Sequence, residues 1–190
     1  MRTRLSPDER RAQLIAAGVG ALATGPLDAL TIESLAAAAG VSRGLVIHYF
    51  DTKDGMHREV VRAACNSMLH ATEPDHELEP LDRLHDTLTR LVRFVRDHRL
   101  TFYSLVRGAA SGAPEVRELI DETRSVQSGW LVQAFLELGT PDSEILRIAV
   151  RSWVAFAEQT LVDGALHSEL SSDEIVLFLD RSAKAIVGAL

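Results

Sequence analysis

Gly40-Val41-Ser42 is the tightest constraint in this chain, because it sits between two short apolar segments. Leu35 and Ala36 lie on one side, Val46 and Phe50 on the other. Two short helices that cross steeply through a turn need a left-handed backbone position, a small apolar plug and a cap for the second helix. Gly40, Val41 and Ser42 meet those needs in order. Thr31 is placed to cap the first helix, and the second runs from Ser42 to about Phe50. The pattern predicts a helix-turn-helix from about Thr31 to Phe50. The plainer alternative is a helical hairpin in an ordinary core.

Everything around this motif also reads as helix. Ser6-Pro7-Asp8-Glu9 starts a first helix, with Ser6 as cap, Pro7 at the first helical position and Glu9 closing a capping box. Leu14, Ile15, Val19 and Leu22 form its apolar face, and Gly25-Pro26 ends it. A fourth helix begins at Thr52 or Lys53 and runs to about Ala71. The polar stretch 72–80 holds Pro74 and Pro80 and reads as a loop or linker. Further helices are expected at about Leu81–Asp97, Leu100–Ala110, Pro114–Leu138, Ser143–His167 and Ser171–Val187. No alternating strand pattern of useful length and no repeat is apparent. The expected fold is all-α. Residues 1–53 are expected to form a three-helix domain that holds the helix-turn-helix, and residues 54–190 a second helical domain.

Charge is uneven along the chain. Residues 1–62 carry eight Lys and Arg against seven Asp and Glu, a net of +1, which leaves −8 for the rest of a chain totalling −7. A relatively basic head on an acidic body suits a small phosphate-contacting surface, with nothing in the body pointing to nucleic acid. The single cysteine, Cys65, excludes an internal disulfide and a cysteine-based zinc site. No secretory signal or membrane-spanning stretch is read, so a cytoplasmic location without membrane association is expected.

The segment from Thr31 through Gly40-Val41-Ser42-Arg43-Gly44-Leu45 to Tyr49-Phe50 and Lys53 resembles the DNA-binding signature of the TetR family of bacterial regulators. The likeness is specific over about Arg10 to Val61. It implies that Arg43, Gly44 and Leu45 open a recognition helix at the floor of the DNA major groove. Arg43 would then reach a guanine edge, or else touch phosphate, and Leu45 would meet a thymine methyl. His48 faces outward, as a contact or as a spectator. Thr31, Ser42 and Tyr49 match phosphate-contacting positions, although Tyr49 also reads as core. Lys53 matches the lysine that clamps the DNA backbone from a helix N-terminus. Ile47 departs from the pattern, since the family usually has an aromatic residue there. Isoleucine donates no hydrogen bond, which implies an altered sequence preference.

The resemblance further implies a homodimer on a palindromic double-stranded operator, with a small-molecule effector in the body. Residues 144–162 are apolar around most of a helix and need burial on two sides. The last helix carries Ile175, Leu179, Ala183 and Ile186 on one stripe. Trp153, Phe156, Ile175, Leu179 and Ile186 are the expected dimer contacts, the alternative being packing within one chain. Arg62, Cys65, Phe94, Phe102, Tyr103, Arg107, Gln127, Trp130 and Trp153 are the expected effector-contacting set, most of which ordinary core also accommodates. Arg107 alternatively reaches solvent from a helix end.

Catalysis finds no support. There is no glycine-rich phosphate loop, nucleophile elbow or paired-carboxylate motif. His57, His70, His76 and His85 lack metal-ligand spacing, and no cofactor is expected. The resemblance implies a ligand-released repressor, and the residues give no reason to read an enzyme. A helical ligand-binding protein without DNA binding is the competing class, and the residues do not separate repressor from activator.

Overall fold

The computed structural model describes residues 5–111 and 113–188, with the side chains of 107–111 outside the description. Among the described residues there is no strand. Helix α1 spans Pro7–Leu22, α2 Ile32–Ala39, α3 Arg43–Phe50 and α4 Lys53–Ala71. They are followed by α5 Pro80–Asp97, α6 Arg99–Ser111, α7 Pro114–Glu137, α8 Glu144–Leu161 and α9 Ser172–Val187.

The helix starts form where local chemistry puts them. Ser6 Oγ accepts the Glu9 amide at 3.2 Å, while Glu9 accepts the Ser6 amide at 2.7 Å. Those bonds from Ser6 hold the Glu9 carboxyl below the usual carboxylate range. Thr31 and Ser34 cap α2 reciprocally, and Ser171 and Glu174 do the same for α9. Gly40 takes the left-handed conformation after α2, at φ 65°, which a side chain would strain. Two short elements went unread in the sequence: a 3₁₀ turn at Leu27–Ala29 and a π-helical turn at Val162–Leu166.

The chain packs as two compact units. The first comprises Met1–Asn66 and Leu100–Ile120, the second Ser67–Arg99 and Asp121–Leu190. The division expected at Lys53 is a functional one, which these packing units do not address. In the first unit, Leu14, Leu35, Val46, Met56 and Val60 are wholly buried in one cluster with Leu105, Val116, Leu119 and Ile120. Helix α1 lies close against α4, since a Cβ added to Gly18 would come 2.4 Å from Val60 Cγ2. After α3 the chain turns through Asp51 at φ 60° and ψ −56°, where the Thr52 amide donates to the Phe50 carbonyl at 2.7 Å. This is a strained γ-turn. It also requires glycine one turn later, because a Cβ on Gly55 would lie 2.3 Å from that same carbonyl oxygen.

In the second unit α5 and α8 pack against α9. Trp153 Nε1 donates to Ser182 Oγ at 2.9 Å, tying α8 to α9. Arg124 on α7 grips Glu158 on α8 with two bonds of 2.9 and 2.7 Å, and Glu158 raises the arginine's pKa in return. Arg83 is buried and bonds both the Leu78 carbonyl and Glu137, which fastens the end of the 72–80 loop to α7. Arg96 and Arg99 donate to the carbonyls of Leu170 and Leu166, at and just after the π-helical turn.

Candidate nucleic-acid interface

Helix α3 divides cleanly into two faces. Val46 and Phe50 point into the core, and Ser42, Arg43, Gly44, Ile47 and His48 are exposed. Leu45 and Tyr49 lie at the boundary, half-buried. Ser42 Oγ accepts the Leu45 amide at 3.2 Å and so caps the helix. A Cβ on Gly44 would meet no atom nearer than Ser42 Oγ at 4.0 Å, so packing within the chain does not require glycine there. Ile47 is 41% exposed, an apolar side chain in the middle of the outward face. His48 and Tyr49 make an edge contact with ring centroids 5.3 Å apart.

Three polar tethers hold this motif to α4. Lys53 Nζ donates to the Asp28 carbonyl at 3.1 Å, and His57 Nε2 lies 2.7 Å from the Leu30 carbonyl. Lys53 and His57 are one helical turn apart and fix the segment that leads into Thr31 and α2. The third tether is Arg11. It donates to the Tyr49 carbonyl at 3.0 Å, pairs with Glu59 on α4 at 3.1 Å and lies over the Phe50 ring, 5.5 Å from its centroid. A helix end leaves carbonyls without intrahelical partners, and Arg11 meets that need for α3. The sequence reading named neither Arg11 nor His57 for this purpose. Their partners are 38 and 27 residues away, beyond any local pattern.

The expected effector-contacting residues fall in both packing units. In the first, Cys65 and Phe102 are buried, Tyr103 is half-buried and Arg62 is exposed beside Glu59. In the second, Phe94 is buried against the His98 ring at 4.5 Å, and Gln127 and Trp130 are half-buried. Trp130 borders a hollow of about 20 Å³ with Arg83, Thr87 and Leu131. The Arg107 side chain lies outside the described residues.

Of the expected dimer contacts, Trp153, Ile175 and Leu179 are 4%, 1% and 0% exposed within a single chain and fill its interior. Phe156 and Ile186 do reach the surface. The large apolar side chains that α8 and α9 expose are Ile145, Ile148, Phe156, Leu177 and Phe178. The rings of Phe156 and Phe178 lie 5.7 Å apart and border an open hollow of about 530 Å³ beside the π-helical turn. No group of three or more His, Cys, Asp or Glu suited to a metal occurs among the described residues. No described helix is long and apolar enough to cross a membrane.

A capped, glycine-turned helix pair with one outward face has the form found in the class of helix-turn-helix regulators. Residues 14–60 match the family model described as bacterial regulatory proteins, tetR family. Residues 80–185 match the tetracyclin repressor-like C-terminal domain. The chain belongs to the TetR family of transcriptional regulators. It is 26% identical over 157 residues to the HTH-type transcriptional regulator BetI of Burkholderia mallei, and 25% identical to that of Burkholderia thailandensis. Each match covers 83% of this chain and 57% of the relative, so the chain spans little more than half their length. A TetR-family regulator from Streptomyces coelicolor superposes with a TM-score of 0.86 at 26% identity, over 97% of this chain and 83% of that one. A TetR-like regulator from Rhodococcus sp. RHA1 shares the fold, with a TM-score of 0.74 at 19% identity over 98% and 100% of the two chains.

Proposed function

We propose that two copies of this chain bind a palindromic DNA operator as a repressor, and that a small-molecule effector releases them. The observation that carries the reading is the outward face of α3, where Arg43, Gly44, Ile47 and His48 are exposed together on a helix fixed from behind by Val46 and Phe50. A helix of this size fits the major groove, and its first turn meets base edges. Thr31 and Ser42 stand at helix N-termini, where amides and helix dipole favour a phosphate. On this reading residues 1–53 contact DNA and residues 54–190 bind effector and partner. The protein acts where the chromosome is, in the cytoplasm.

Release is assigned to α4. Through Lys53, His57 and Glu59 it holds the approach to α2 and the end of α3, so a displaced α4 carries the motif with it. Two half-sites one helical turn apart hold the recognition helices about 34–36 Å apart, and a shift of a few ångströms spoils simultaneous docking. An effector acts only by preferring the displaced state. By linkage, operator then weakens effector binding by the factor that effector weakens operator binding.

Lys53 tests the DNA-facing assignment. Its ammonium is exposed at the start of α4 and makes a single surface bond to a carbonyl. Lys53→Ala is expected to weaken binding to every duplex about equally and to flatten the salt dependence by about one unit. Fluorescence anisotropy across a salt series measures both, and an unchanged affinity and slope would remove Lys53 from the interface.

A further inference from the structure

We infer that Glu33 sets the sequence selectivity of the recognition helix by holding Arg43 toward the base edges. The inference rests on the DNA-binding reading above and adds a residue to it. Glu33 lies in the first turn of α2, and Arg43 is the first residue of α3. Glu33 Oε1 is 2.7 Å from a terminal nitrogen of the Arg43 guanidinium, and their side chains are 57% and 63% exposed. An ion pair this exposed adds little to stability. Its consequence is for the arginine.

Arg43 is the only Lys or Arg on α3, and Ile47 beside it offers no donor. Charged readout by this helix therefore depends on where one guanidinium goes. A free arginine on a long side chain satisfies itself on the nearest phosphate, a contact that carries no sequence information. A carboxylate beside one terminal nitrogen of the fork restrains where the guanidinium goes and leaves its other donors for the O6 and N7 acceptors of guanine. The same carboxylate repels phosphate, so the paired arginine gains less by sliding onto the backbone. Each of these effects favours base over phosphate.

The experiment is enrichment from a random-sequence duplex library by wild type, Glu33→Gln, Arg43→Ala and the double variant. Thermal melting of each confirms that this exposed pair leaves the fold intact. Wild type is expected to enrich a two-fold symmetric motif with a guanine in each half-site that Arg43→Ala loses. Glu33→Gln keeps the rest of the motif, but its preference for that guanine falls about fivefold or more. Adding Glu33→Gln to Arg43→Ala changes selectivity no further. Glu33→Gln with the guanine preference intact overturns the inference, even if it binds all DNA more tightly, because tighter binding alone reports only a lost negative charge. Loss of no guanine in Arg43→Ala overturns it too, by removing Arg43 as a base reader. A wild type that enriches nothing removes the DNA-binding reading itself, and the inference with it.

Discussion

Phe178→Arg is expected to give a folded monomer that no longer holds a palindromic duplex. Phe178 is 53% exposed on α9, stacked near Phe156 and flanked by the exposed Leu177. Ile145 and Ile148 on α8 are exposed too, and large exposed apolar side chains of this number mark an interface when they adjoin. On the proposed reading the partner's α8 and α9 cover them. An arginine at 178 costs the monomer little, because more than half of the residue already stands in water. In the dimer it would be an unpaired charge buried against apolar groups. The monomer keeps one recognition helix and loses the gain from the second half-site, which linkage of two binding events places at a hundredfold or more. Sedimentation shows the mass and anisotropy the affinity. A variant that remains dimeric at micromolar concentration would place the interface elsewhere.

One residue along, Leu179→Arg is expected to do something different. Leu179 is 0% exposed and packs inside the protomer with Ile175 and Ala183, themselves buried. A charge there has no route to solvent and no partner, at a cost of several kcal/mol against a total stability on the order of 5–15 kcal/mol. The expected product is insoluble chain or one without a cooperative thermal transition. A soluble, cooperatively melting monomer would instead mean that Leu179 belongs to the partner interface. The contrast between neighbours 178 and 179 is the sharpest mutational distinction the fold offers.

These two residues also show where sequence reading stopped. The helix starts were legible because their cause is local: Ser6 with Glu9, Thr31 with Ser34, Ser42 and Ser171 each meet amides within three residues. Gly40 was legible because the turn needs a left-handed residue and the chain has one there. The inward and outward faces of α3 followed from helical spacing. Helix α9 was harder, since it is apolar on more than one face. Periodicity shows that Ile175, Leu179 and Phe178 are apolar, but not which of them serves the protomer's core and which meets a partner. The π-helical turn at Val162–Leu166 has no local signature either. Gly164 there lies close to Ile175 of α9, a neighbour 11 residues on that no local pattern reveals. Arg11, His57 and the Glu33–Arg43 pair escaped for the same reason, each being a contact between separate elements.

The most direct test of the account is the affinity of wild-type chain for an enriched palindromic duplex and for its scrambled counterpart, measured across a salt series. Two chains are expected per palindrome, with a preference over scrambled DNA of about a thousandfold or more. Affinity is expected to fall steeply with salt, as phosphate contacts exchange for counterions. Equal, weak and salt-insensitive binding to both duplexes would contradict it, and would mark the chain as a helical ligand-binding protein that no longer reads DNA.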